Sequence, residues 1–211
     1  RPVLIGTKVG IGVKASHEAM FFVFCSPVGP YFKGGMKPIK VIIDRVQDRA
    51  APRGTGDIKA GGNYASSILS GEKAHDMGYS NVMYLDAVEH KYIEECGAAN
   101  FFGIKNGTYV TPKSPSILPS ITNKSLRTLA EDMGLKVEER PIAIDEIGEF
   151  EEAGACGTAA VISPIDSVYD LDTDVKVSYG GEVGKWSLAL YNRLQDIQYG
   201  RAEDKFGWNL V

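Results

Sequence analysis

The stretch 57-DIKAGGNYASS-67 sets a single lysine, Lys59, beside two glycines, an asparagine and a tyrosine, and then runs into small and apolar residues at helical spacing. At a glycine-bordered turn a lysine is ordinarily a solvated cation. In a site stripped of water the same ammonium loses its preference for the charged form. The neutral amine can then attack an aldehyde or carry a proton as general base and acid. What surrounds Lys59 decides between these readings.

Reading outward, Ala65, Ile68, Leu69 and Met77 stand near helical spacing and stop at Gly78, which predicts one helix over 63–78. "IKVIID" (39–44) before it and "NVMYLD" (81–86) after it read as strands. "NFFGIKNGTYVTP" (100–112) reads as a hairpin, because Asn106-Gly107 suits a tight turn with positive φ. Leu126, Leu129, Ala130 and Met133 then mark an amphipathic helix entered through Thr122 and ended by Gly134. "LKVEERPI" predicts a strand, "IDEIGEFEEA" a short acidic helix, "CGTAAVISPI" a buried strand, and "KWSLALYNRLQDIQYG" a closing helix with Trp186, Leu190, Leu194 and Ile197 on one face. At the start, "RPVLIGT" and "EAMFFVFCSPV" are strand-like, and the glycines and prolines of 29–38 mark a connection. Helices mixed with hairpins predict an α+β fold.

The 211 residues are 44% hydrophobic and 24% charged, enough to bury a full core. A net charge of -4 with scattered lysines and arginines argues against a nucleic-acid partner. The apolar run "AMFFVFC" (19–25) is too short to span a bilayer, so no membrane partner is expected. Cys25, Cys96 and Cys156 are widely spaced, without metal-ligand clustering, so we expect buried thiols, no metal and a cytoplasmic location.

Two further features bear on chemistry. "YIEECGAANFF" places Glu94 and Glu95 ahead of a glycine and a strand. Such a pair is either a solvated rim or, with one carboxylate buried against a ring nitrogen, part of a cofactor site. "LPSIT" (118–122) leads into a helix, so the amides of Ile121 and Thr122 and the Thr122 hydroxyl lie at the positive end of a helix dipole, a seat for an anion or a plain cap. "CGT" (156–158) offers a second glycine before a hydroxyl residue.

Taken in order, "RPVLIG", "SPVGPYF", "GTGDIKAGGNYASS", "NVMYLD", "EECGAANFF", "LPSIT", "GTAAVISP" and "LQDIQYGR" closely resemble branched-chain amino-acid aminotransferases, of the fold type IV pyridoxal-phosphate class. The resemblance implies a large domain built on a mixed and antiparallel pseudo-barrel sheet with helices packed outside. It makes Lys59 the Schiff-base lysine and proton shuttle, Tyr64 the partner of the cofactor's phenolic oxygen, and Glu95 the partner of its pyridine nitrogen. Leu118 would open the phosphate turn, Ile121 and Thr122 would hold the phosphate, and Thr158 would add its hydroxyl and amide. The substrate would meet Thr158 and Ala159, with Arg1, Tyr31 and Ala98 lining its pocket. Arg49 receives no role.

The cofactor implied is pyridoxal 5'-phosphate, the partners are branched-chain amino acids and 2-oxo acids, and the assembly is a homodimer. Residues 1–32 would be the end of a small N-terminal domain, 33–38 a connection and 39–211 the large domain, so the chain reads as a fragment whose activity is impaired. D-amino-acid transaminase and aminodeoxychorismate lyase share the same lysine and glutamate logic, and an inert fragment is the reading of another class. Ser120 stands where relatives more often have glycine, which puts the backbone of the phosphate turn in question.

Overall fold

A computed structural model describes residues 1–209; the last two residues of the 39–211 segment lie outside the described residues. The chain divides into two compact units, Arg1–Tyr31 and Phe32–Val211. In the first, β1 (Pro2–Gly6) and β2 (Ala19–Val23) form an antiparallel pair, with Pro2 opposite Val23 and Gly6 opposite Ala19. Leu4, Phe21 and Val23 on these strands are exposed.

In the second unit a ring of strands closes on itself. β3 (Ile39–Ile43) pairs with β4 (Asn81–Leu85), β4 with β5 (Ile93–Cys96), and β5 with β6 (Ala99–Lys105). β9 (Glu152–Gly157) bridges β6 to β10 (Val161–Asp170), which returns to β3. Closure leaves none of these six strands an open edge within the ring. β7 (Thr108–Pro112) and β8 (Lys136–Arg140) extend the sheet beyond β6, and β11 (Val175–Ser178) extends it beyond β10. This is the mixed pseudo-barrel implied by the resemblance. The β3–β4 and β7–β8 pairs are parallel because a helix crosses between the two strands of each. β3 and β10, which close the ring from distant parts of the chain, are parallel as well, and the other pairs of the unit are antiparallel.

Alternation along the strands sorts the side chains into layers. Val41, Ile43, Met83, Phe101, Ala155 and Ile165 share one apolar cluster. Ile42 and Val82, the intervening residues, pack instead with Ala74 of α2 (Ile68–Asp76). Phe102, Ile104 and Ile162 pack with α3 (Ile121–Asp132) and α4 (Lys185–Gln198) through Leu126, Leu129, Leu190, Leu194 and Ile197. The hairpin at Asn106-Gly107 forms as expected, with φ of 49° and 70° at the two turn residues.

Four readings are corrected. The single helix over 63–78 is two, α1 (Gly61–Ala65) and α2, because Ser66 Oγ donates to Asn63 O at 3.1 Å and Ser67 Oγ to Tyr64 O at 2.9 Å, hydroxyls that compete with the helical ladder. Helix α3 starts at Ile121 rather than after Thr122, since Ser120 is its N-cap and accepts from Asn123 N at 3.2 Å. The acidic run reduces to a 3-10 turn over Ile144–Glu149, and Glu152 opens β9. Its carboxylate accepts from Trp186 N and Ser187 N, each at 2.8 Å, capping α4 from across the fold. Finally, 158–160 is a turn between β9 and β10, not the entry of one strand.

Gly154 lies opposite Phe102, and a Cβ there would sit 2.5 Å from the ring's Cζ. The Phe102 ring is fully buried and stacked on Tyr109 at 5.0 Å, so it has nowhere to go. Gly154→Ala is expected to destabilise the chain by about 1–3 kcal/mol, read as a lower urea midpoint at unchanged m-value.

Candidate active site

Lys59 sits at the apex of a short turn in which Ala60 N donates to Ile58 O at 2.8 Å. Asn63 holds the loop from inside: its Nδ2 donates to Thr55 O at 2.6 Å and Ile58 O at 2.9 Å, while Thr55 Oγ1 donates to its Oδ1 at 2.8 Å. Held this way, the Lys59 amine reaches Tyr64 and donates to its hydroxyl at 3.1 Å. The amine itself is exposed. Gly56 lets the loop lie against the 114–118 segment, because a Cβ there would collide with Ser116 O.

The two glutamates are not a solvated rim; both are buried on β5. Glu95 Oε1 accepts from Leu118 N at 2.7 Å and from Asn100 Nδ2 at 3.3 Å, and Asn100 Nδ2 also reaches Leu118 O at 3.1 Å. Arg49, which sequence reading left without a role, lies beneath this carboxylate: Nη1 is 3.6 Å from Glu95 Oε2, and Nη2 donates to Ser116 O. Arg49 is buried, and its Nε has no hydrogen-bond partner among the described residues. Burial raises the Glu95 carboxyl above its usual range, while the charge of Arg49, the Leu118 amide and the charge of Lys59 pull it back. Lys59 and Glu95 therefore lie within electrostatic reach of each other. Glu94 accepts from Ser114 Oγ at 2.5 Å, and burial likewise raises it.

The 118–122 turn meets an open cleft of about 330 Å³ lined by Asn100, Ser114, Leu118, Ser120 and Ile121. Neither Lys59 nor Glu95 lines it; Glu95 adjoins it through Leu118 and Asn100. Ser120 adopts φ -72°, so the turn needs no glycine there. The amides of Ile121 and Thr122 carry no partner among the described residues, leaving two donors at the helix N-terminus for an anion.

Sheet register brings the remaining segments to the same side. Glu95 is opposite Asn100 and Asn100 is opposite Cys156, so the Gly97-Ala98 tip of the β5–β6 hairpin runs beside Gly157 and Thr158. Thr158 and Ala159 are exposed. Ile162 N donates to Ala160 O at 2.8 Å around Val161, whose φ is +62°, a three-residue turn that a β-branched side chain adopts only under strain. Arg1 and Tyr31 belong to the first unit, where the Arg1 ammonium donates to Phe24 O at 2.6 Å.

A buried carboxylate, an orphaned guanidinium nitrogen, an accessible amine beside a phenol and two free helix-end amides suit a phosphorylated aromatic aldehyde. Asn63 and Asn100 also hold this site together. The sequence offered only their places inside GGNY and GAANFF, since their roles depend on contacts with other segments.

The chain belongs to the amino-transferase class IV family, whose model matches residues 1–168. It is 50% identical to the branched-chain-amino-acid aminotransferase of Helicobacter pylori over 211 residues, which is 99% of this chain and 61% of that relative. The chain thus spans about three fifths of the length of that curated relative. Among solved structures it is similar to the branched-chain amino acid aminotransferase of Escherichia coli, with a TM-score of 0.81 and 31% identity over 98% of this chain and 67% of that one. It is also similar to a T.th. branched-chain amino acid aminotransferase complexed with N-(5'-phosphopyridoxyl)-L-glutamate, with a TM-score of 0.72 and 26% identity over 82% of this chain and 56% of that one.

The raised carboxyls have a pH consequence. A folded state that holds the Glu94 proton more tightly than the unfolded chain has this contribution in full below the ordinary value of 4.5 and loses it as pH rises through the raised value. Glu94→Gln is therefore expected to melt higher than the parent chain at about pH 8, with the difference shrinking toward about pH 5. Parallel melting curves across that range would contradict it.

Proposed function

We propose that this chain is the lysine-bearing part of a pyridoxal 5'-phosphate-dependent transaminase that moves an amino group between branched-chain L-amino acids (leucine, isoleucine, valine) and 2-oxoglutarate. The observation that carries the reading is that the loop holding the Lys59 amine, braced by Tyr64, closes on the Ser116 carbonyl that Arg49 also reaches from a buried Glu95. The names of the similar aminotransferases support the substrate class, and the phosphopyridoxyl-glutamate bound to the T.th. enzyme supports 2-oxoglutarate as acceptor.

When bound, the cofactor supplies an aldehyde to the amine and a ring that withdraws electrons from the substrate Cα. Lys59 Nζ would anchor the cofactor through that aldehyde and, as a free amine, would take the proton from the substrate Cα and hold it for return. The Tyr64 hydroxyl orients Nζ and would partner the cofactor's phenolic oxygen. Glu95, fixed by Leu118 N and Asn100, would hold a proton on the ring nitrogen, and the charge of Arg49 works against the burial that disfavours its ionised form. Leu118 opens the turn whose Ile121 and Thr122 amides, with the Thr122 and Thr158 hydroxyls, would hold the phosphate. Arg1, Tyr31, Ala98, Thr158 and Ala159 are assigned to the substrate on the resemblance alone.

In the same reading, 1–32 ends a small domain, 33–38 connects it to the large domain, and the intact enzyme is a homodimer. The thiols of Cys25, Cys96 and Cys156 are free, which supports a cytoplasmic location; Cys96 and Cys156 are buried as expected, whereas Cys25 is exposed. Among the described residues no helix is long and apolar enough to cross a membrane.

Adding pyridoxal phosphate to the chain should produce a visible absorption band that Lys59→Ala abolishes without changing the far-UV circular dichroism. A band that survives the substitution rejects Lys59 as the anchor. Turnover of L-leucine by the intact parent separates this reading from D-alanine transamination and aminodeoxychorismate cleavage, and cofactor binding without turnover by the chain identifies an inert fragment.

A further inference from the structure

A buried polar line runs between the two segments assigned to the phosphate and touches neither the amine nor the carboxylate. It starts at Tyr109 on β7, which is fully buried and stacked face to face on Phe102 at 5.0 Å. The Tyr109 hydroxyl donates to Asn123 Oδ1 at 2.8 Å. Asn123 Nδ2 donates to Thr111 Oγ1 at 2.9 Å, and Thr111 Oγ1 donates to Phe101 O at 2.8 Å. Each donor thus has its acceptor, and the line ends on a strand carbonyl. Asn123 lies in the first turn of α3, directly after Ile121 and Thr122, and its amide is the one that Ser120 caps.

Cys156 of β9 packs in the same buried cluster as Tyr109 and Phe102, and the thiol and the phenol alter each other's ionisation. Both are fully buried, and burial holds the thiol up at about 12, so it stays a neutral packing group. Cys156 directly precedes Gly157 and Thr158. One phenolic oxygen therefore stands between the start of α3 and the end of β9. An apolar ring in its place would pack equally well against Phe102 and would leave the Asn123 amide oxygen without its donor.

We infer that Tyr109 is a positioning residue whose hydroxyl, through Asn123 on one side and Cys156 on the other, sets the spacing between the 121–122 amides and the 157–158 turn. This rests on the reading that those two segments share the phosphate. The device is specific to a ligand that must be gripped from both sides at once, because two donor groups act together only when their separation matches the anion. A phosphate bridging the two segments would lose part of its grip if either end drifted.

The test uses the full chain with Tyr109→Phe, which deletes one oxygen and keeps the ring. Amide hydrogen exchange without cofactor is expected to speed up at the bonded amides that flank both segments, Asn123 and Lys124 at one end and Ile162 at the other, while the α4 core amides keep their protection. Acceleration at one end only, or nowhere, overturns the inference. The ratio of affinities for pyridoxal phosphate over unphosphorylated pyridoxal, read from the visible band, should fall about five- to tenfold. Asn123→Ala should lower the same ratio, and the double variant should lose no more than the larger single loss. If both singles keep the wild-type ratio, the positioning role is wrong while the phosphate assignment stands. If the wild-type chain itself shows no preference for the phosphorylated aldehyde, the phosphate assignment fails and the inference falls with it.

Discussion

A carboxylate buried on a central strand has to be answered by donors, and the answer given to Glu95 organises the site. An unpaired charge in that position would cost several kcal/mol, so the groups that satisfy it are held with matching force. They come from three directions: the Leu118 amide from the loop before α3, the Asn100 amide from the facing strand, and the Arg49 guanidinium from the loop after β3. Arg49 also donates to Ser116 O, and Gly56 lets the lysine loop close onto that same carbonyl. The 114–118 segment, the lysine loop and strand β5 are thereby tied to one another through one buried side chain.

The closed ring of strands supplies the frame for this. Because β9 bridges β6 and β10, the tip of the β5–β6 hairpin and the turn after Gly157 emerge side by side. The strained turn at Val161 persists because Gly157 and Val161 are paired across it and both flanking strands are buried. Helices α3 and α4 press on one side of the ring, and the first turn of α3 is aimed by the buried tyrosine and asparagine beneath it.

Local signals were strong where one segment decides its own structure. Asn106-Gly107 specified its turn because both residues tolerate positive φ, and α3 and α4 were visible from apolar residues that recur each turn. The failures have a common cause. The acidic run at 145–152 has helical composition, yet Glu152 is drawn into β9 by strand pairing with Ile104 and by the uncapped end of α4. Ser66 and Ser67 look harmless in a helix until their hydroxyls find carbonyls to bond, one of them on Arg49 at 2.7 Å. Strand β11 carries no strong pattern of its own and exists because β10 offers it an edge.

By itself the sequence determined the order and chemistry of the parts: a lysine among glycines, a glutamate ahead of a hairpin, a hydroxyl-capped helix start and a glycine before a threonine, enough to place the chain beside a family. Tertiary structure decided which of two glutamates takes the Leu118 amide and the Arg49 charge, gave Arg49, Asn63 and Asn100 their tasks, and set which donors are spent inside the fold and which stay open at its surface. The division is physical. Backbone preference and periodicity act over a few residues, whereas burial, ion pairing and hydrogen-bond satisfaction depend on atoms that come together only once the ring of strands has closed.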